Sequence, residues 1–174
     1  MGGPGHLIIL QPGSHMTTMD HPRPPKLYYF SERDKLERSL TLGEFRLVPP
    51  TLAPTAGGDA EFLILSLAQQ PDGALFEGKQ NADAYLVVHD AETFGERLHR
   101  AVQRVLPNWT GIDAAMSYGK TSPLGRLFSK DRQHAAEGEW RFAWRPMQSR
   151  AAAHPVVVQL GSIADIAELR VINA

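Results

Sequence analysis

The stretch HAAEGEWRFAWRP, residues 134–146, decides how the rest of the chain is read. Glu137, Glu139 and Arg141 share one parity, and Trp140, Phe142 and Trp144 share the other. Successive side chains of a strand point to opposite faces, so this alternation predicts a strand over residues 139–144 with one charged and one aromatic face. Trp140 and Phe142 are expected to be more buried than Glu139 and Arg141. Two readings of the charged face follow. In one it is a solvated strand surface on which Lys130 or Arg141 neutralises the glutamates. In the other, two carboxylates roughly 6–7 Å apart along one strand divide the work of an active site, one stabilising a cationic sugar and one positioning the nucleophile.

Working outward, the preceding segments read as short strands and helices at irregular spacing. LYYF follows a proline-rich lead that cannot be helical, and reads as a strand. A helix is expected next, with Ser31 as its cap, Asp34 as the reciprocal partner and Gly43 as its stop. EFRLV, EFLILSLA and AYLVVH read as strands. Asp90 caps a helix over about residues 91–106, in which Phe94, Leu98, Val102 and Val105 recur at the spacing of one buried face. A small hairpin is one reading of residues 69–83, and AAMSY reads as a strand. After residue 146, VVVQL is a strand, Ser162 opens a short helix to about Glu168, and LRVI closes as a strand. Leu36, Leu40, Leu65, Val87, Leu98, Val102, Phe142 and Val157 are expected in one core. Short strands with two to three helices at irregular spacing indicate an α+β domain.

Composition narrows the function classes. Of 174 residues, 43% are hydrophobic and 21% charged, with a formal net charge of −1, which gives no support to a dedicated nucleic-acid binder. There is no cysteine, hence no disulfide and no thiolate metal site. No apolar run approaches the roughly 20 residues of a membrane span, so a cytoplasmic protein is expected. Residues 1–16 end in Gly-Ser-His-Met, the pattern of an expression-vector scar, and are set apart from a single domain over residues 17–174. Their removal is expected to leave stability nearly unchanged.

Other motifs say less. Gly119-Lys120-Thr121 looks like the end of a phosphate-binding loop, but Ala114 stands where that motif needs its first glycine. Arg97, Arg100 and Arg104 form a stripe on the long helix, read as a solvated face. His99 is placed on the polar side of that helix, and no histidine has metal-ligand spacing. His134 is read as a loop residue near enough to tune the glutamates if it is charged.

The order of these motifs resembles known families. KLYYFSERDKLERSLTLGEFRLVP is similar to the entry of toxin-like ADP-ribosyltransferase domains. LFSKDRQHAAEGEWRFAW and VVVQLGSIADIAELRVI resemble an uncharacterised bacterial family associated with abortive infection and toxin systems, which carries Phe-x-Lys before a Glu-x-Glu-Trp-Arg strand. The resemblance spans roughly residues 26–172 and implies an ADP-ribosyltransferase-like fold of short mixed or antiparallel strands. It implies NAD as the substrate, Glu139 as the catalytic glutamate and Glu137 as the upstream acid. It assigns Tyr118 to stacking on nicotinamide and puts Tyr29 where the family's ribose-holding histidine stands. The loop over residues 119–136 would face the target. The acceptor would be a protein or nucleic acid that the residues do not identify. The alternative is a non-catalytic interaction or immunity module on the same fold. Glu139, Tyr29 and Tyr118 are expected to line one cleft, with Glu137 at its rim.

Overall fold

The computed structural model describes residues 5–9, 17–19, 23–50, 61–72, 81–148 and 153–172, the first two segments as backbone alone. Its strands are β1 (Gly5–Ile9), β2 (Thr17–Met19), β3 (Leu27–Ser31), β4 (Glu44–Leu47), β5 (Leu63–Ala68), β6 (Ala84–Val88), β7 (Trp109–Ala115), β8 (Ser117–Tyr118), β9 (Ser129–Lys130), β10 (Glu139–Pro146), β11 (Val156–Gln159) and β12 (Ala167–Val171). The two main helices are α1 (Arg33–Leu42) and α2 (Ala91–Val105). The main sheet runs β12-β6-β3-β5-β10-β7, antiparallel throughout, and continues into β1 and β2. Two small sheets, antiparallel β4–β11 and parallel β8–β9, complete an α+β fold.

Directly opposed residues of an antiparallel pair project to the same side, so the register sorts the side chains into two faces. Leu63, Leu65 and Leu67 oppose Trp144, Phe142 and Trp140. With Leu27, Leu86 and Val88 they form the principal core, into which α1 and α2 insert Leu36, Phe94, Leu98 and Val102. The second face carries Glu139, Arg141 and Ala143. The segment between β7 and β10 folds over it, packing Leu127 and Phe128 against Ile64, Ala114 and Ala143.

Most expected elements form, with instructive differences. Gly5–Ile9 pairs with β7, Gly5 opposite Ala114, although the sequence reading leaves this segment outside the fold. The first helix starts after Glu32 rather than Ser31, and no side chain of that turn caps it. Its free Arg33 amide donates instead to Asp83 Oδ1 at 2.8 Å, a long-range partner that local spacing does not reveal. Asp90 does cap α2, accepting from the Thr93 amide at 3.0 Å. The expected helix from Ser162 to Glu168 is a turn leading into β12. Val157 is 53% exposed and its neighbour Val158 is buried, because three successive valines carry no parity. Val87 is buried on the face opposite the principal core, while Leu36, Leu65, Leu98, Val102 and Phe142 join that core and Leu40 packs against it. The hairpin reading of residues 69–83 falls largely outside the described residues.

Candidate functional site

The parity of β10 is as expected, but its charged face is not a solvated one. Glu139 is 0% exposed, like Trp140 and Phe142, and Arg141 is 8% exposed. The reason is the covering segment 116–137, whose irregular sequence gave no sign that it lies on this face. Glu137 is not on the strand either. It ends a 3-10 helix (Arg132–Glu137), and Gly138 at φ 54° turns the chain into β10 through the left-handed region that favours glycine. The two glutamates therefore converge from a loop and a strand rather than lining up along one strand.

An ammonium joins them. Lys130 Nζ lies 2.7 Å from Glu137 Oε2 and 2.8 Å from Glu139 Oε1. Arg141 Nε donates to Glu139 Oε2 at 2.5 Å, and its Nη1 donates to the Leu127 carbonyl at 2.8 Å, tying the strand to the covering segment. The Ser66 hydroxyl donates to Glu139 Oε2 at 2.9 Å. His134 Nδ1 is 3.1 Å from Glu137 Oε1. The Glu139 amide donates to the Tyr118 hydroxyl at 2.9 Å. Two carboxylates thus face two cations, which balances charge in a site that water reaches poorly. Burial works against ionisation of Glu139, but Arg141 and Lys130 outweigh it and hold its carboxyl below the usual range. Burial pushes the half-buried Tyr118 hydroxyl up to about 12, and the nearby glutamates add to the rise.

Tyr29 does not join this group. Tyr28 opposes Ala68, and Ala68 opposes Glu139, so Tyr28 shares the face of Glu139 and Tyr29 points the other way. Tyr29 packs edge-on against Phe45 with ring centroids 5.3 Å apart, and burial raises its hydroxyl to about 12. The expected cleft of Glu139, Tyr118 and Tyr29 is thus corrected by a one-residue shift in parity. Glu137, 4% exposed, lies inside the cluster rather than at a rim. Ser66 was not foreseen. Its only signal was one hydroxyl in the otherwise apolar run LILSLA.

No protein-family model, curated protein or solved structure matches the chain.

A second buried polar cluster lies on the other face of β10. Asp113, fully buried, accepts from Arg23 Nε at 2.8 Å, Arg23 Nη2 at 2.9 Å and Trp140 Nε1 at 2.9 Å. His99 Nε2 lies 2.8 Å from Asp113 Oδ2, and Trp144 Nε1 donates to His99 Nδ1 at 3.1 Å. An indole can only donate, so Nδ1 accepts and Nε2 carries the hydrogen given to Asp113. His99 is therefore a buried connector, not the polar-side residue its helical position suggested. Burial opposes ionisation of Asp113, but the bonds from His99 and Arg23 prevail and lower its pKa. Arg97, by contrast, lies at the surface and pairs with Asp165 at 2.7 Å.

Among the described residues no group of three histidine, aspartate or glutamate side chains is placed to hold a metal. No described helix is long and apolar enough to cross a membrane. An open depression of about 510 Å³ lies beside α1, lined by Glu32, Arg33, Asp34, Glu37 and Asp83, away from Glu139. Its four carboxylates are unsuited to an anionic nucleotide.

Proposed function

We propose that the chain is an ADP-ribosyltransferase-like protein of a bacterial toxin or phage-defence system, with NAD as substrate and Glu139 as the central carboxylate. The observation that carries this reading is the Ser66–Glu139 hydrogen bond. It presents Glu139, ionised, to a half-buried hydroxyl on the face that segment 116–137 covers. A ribose 2-hydroxyl has the same donor chemistry and would take that place. As the bond between ribose C1 and nicotinamide breaks, its electron pair leaves with nicotinamide and positive charge develops on the sugar. A fixed carboxylate beside that charge lowers the barrier. Glu137, held by Lys130 and His134, would orient the acceptor whose nucleophilic atom bonds C1 and releases its proton to solvent. Tyr118 stays protonated at neutral pH and fixes the head of the strand through the Glu139 amide. Tyr28 takes the place on Glu139's face that the resemblance gives to Tyr29.

The second reading is a non-catalytic interaction or immunity module on the same fold. It is favoured by the complete burial of Glu139 and its pairing with two cations, the arrangement of a structural ion cluster. Melting with and without millimolar NAD separates the two. A ligand at 100 times its Kd adds about 2.7 kcal/mol, a rise of a few degrees for a domain of this size. Absence of both a shift and NAD consumption leaves the interaction module.

A further inference from the structure

We infer that the outer edge of β12 pairs with the same edge of a second copy of the chain, antiparallel about a two-fold axis at Leu169. This interface is independent of the NAD reading. The main sheet ends at β12, and among the described residues no segment pairs with its far side. The bonds to β6 show which backbone groups that side offers. The Ile172 amide donates to the Asp83 carbonyl at 2.9 Å, and the His89 amide donates to the Ile166 carbonyl at 2.7 Å. Backbone groups of successive residues in an antiparallel ladder point to alternate edges, so residues 168 and 170 also turn theirs to β6. Ala167, Leu169 and Val171 therefore turn theirs outward, a row of donors and acceptors that fits another strand.

The side chains select the partner and the register. An antiparallel partner sets outward residues against outward residues, so only alternate registers are open. A pairing centred on Glu168 would oppose two glutamates, and one centred on Arg170 would oppose two arginines. Like charges directly opposed are destabilising. Registers centred farther out oppose fewer residues of so short a strand. Centred on Leu169, each Glu168 faces the partner's Arg170. Within the chain Glu168 and Arg170 are exposed and already share a face, Arg170 Nε donating to Glu168 Oε1 at 2.8 Å. Two copies would thus join four charges in a ring whose neighbours all have opposite signs, and such networks hold better than single surface pairs. On the other face Leu169, partly buried against the principal core, meets the partner's Leu169. Val171, 49% exposed, comes beside the partner's Ala167. The chain's own edge carries the complement of itself, and a formal net charge of −1 sets little long-range repulsion between copies.

Sedimentation of the full chain over a concentration series tests this. The wild type is expected to pass from monomer to dimer. Glu168→Arg and Arg170→Glu should each weaken the dimer roughly 10-fold or more, since each turns both cross-strand ion pairs into like-charge contacts. Mixed in equal amounts, the two variants should associate with each other more tightly than either does alone, because each then opposes the other's sign. Val171→Pro removes an outward amide and no bond to β6, as proline on an edge strand can, and should also weaken the dimer. A far-ultraviolet dichroism spectrum like that of the wild type checks that each variant folds. The proposal is overturned by a wild type that stays monomeric at every concentration, by a dimer that the charge variants leave unchanged, or by charge variants that gain nothing from being mixed.

Discussion

Strand β10 carries a buried carboxylate cluster on each face, and the two differ in what surrounds them. On the helix side, Asp113, Arg23 and His99 have side chains that are 0% exposed, and two indoles supply further bonds. On the other side Glu139 is equally buried, but its partner Lys130 keeps 24% exposure, and Ser66 and Tyr118 are half-buried. The first cluster is sealed and joins the lead before β3 to α2 and the sheet. The second reaches the surface through partly exposed side chains. Equal burial of a carboxylate therefore does not mean that its partners are equally buried, and the open cluster is the one on which the proposed function rests.

Neutralising each carboxylate in turn should separate the two clusters most strongly. Asp113→Asn removes the buried counter-charge of Arg23, leaving it only the half-exposed Glu92 at 3.0 Å, and should cost about 3 kcal/mol in denaturant unfolding. Gly111→Ala comes next. Its Cβ would meet His99 Nδ1 at 2.5 Å and Trp144 Nε1 at 2.6 Å. Overpacking in that rigid cluster should cost about 1–3 kcal/mol. Glu139→Gln should cost less than Asp113→Asn, about 1–2 kcal/mol, since Lys130 retains Glu137 and the amide still accepts from Ser66. If Glu139→Gln proves the more damaging, the sealed and open assignments are reversed.

Acid unfolding sharpens the same point. Asp113 and Glu139 both have folded pKa values below their ordinary ones. Each therefore contributes stability that is present above its unfolded value of about 4 and is lost as pH falls through its folded value. The contribution of these two carboxylates should hold from pH 7 to about 5 and fall below about 4. Asp113→Asn and Glu139→Gln should each flatten that fall. The smallest effect is expected for K120A/R132A, within about 0.5 kcal/mol of wild type, because both side chains are exposed.

How much of this was readable in the sequence follows from the signals available. Strict alternation in EWRFAW revealed both the strand and its two faces. The helical spacing of Phe94, Leu98 and Val102 revealed α2 and its buried side. The covering of the charged face was hidden, because residues 116–137 lack any period and are held by single bonds such as Arg141 to the Leu127 carbonyl. Glu137 read as a strand residue because Gly138 looked like part of the alternation. The partnership of Asp113 with Arg23, 90 residues away, leaves no local trace beyond one carboxylate in an apolar strand. Parity failed at LYYF for the same reason as at VVVQ. Runs of similar residues do not declare which of them faces the core, and so Tyr29 was expected where Tyr28 stands.

The most direct test of the open cluster as a working site is NAD consumption by the purified chain, followed by loss of nicotinamide from the ribose and compared with Glu139→Gln. The wild type is expected to turn over NAD, and the variant to fall by roughly 10²-fold or more, the scale of losing one preorganised stabilising group, with folding retained. Turnover unchanged by Glu139→Gln, or no turnover and no NAD-dependent melting shift in the wild type, would contradict it.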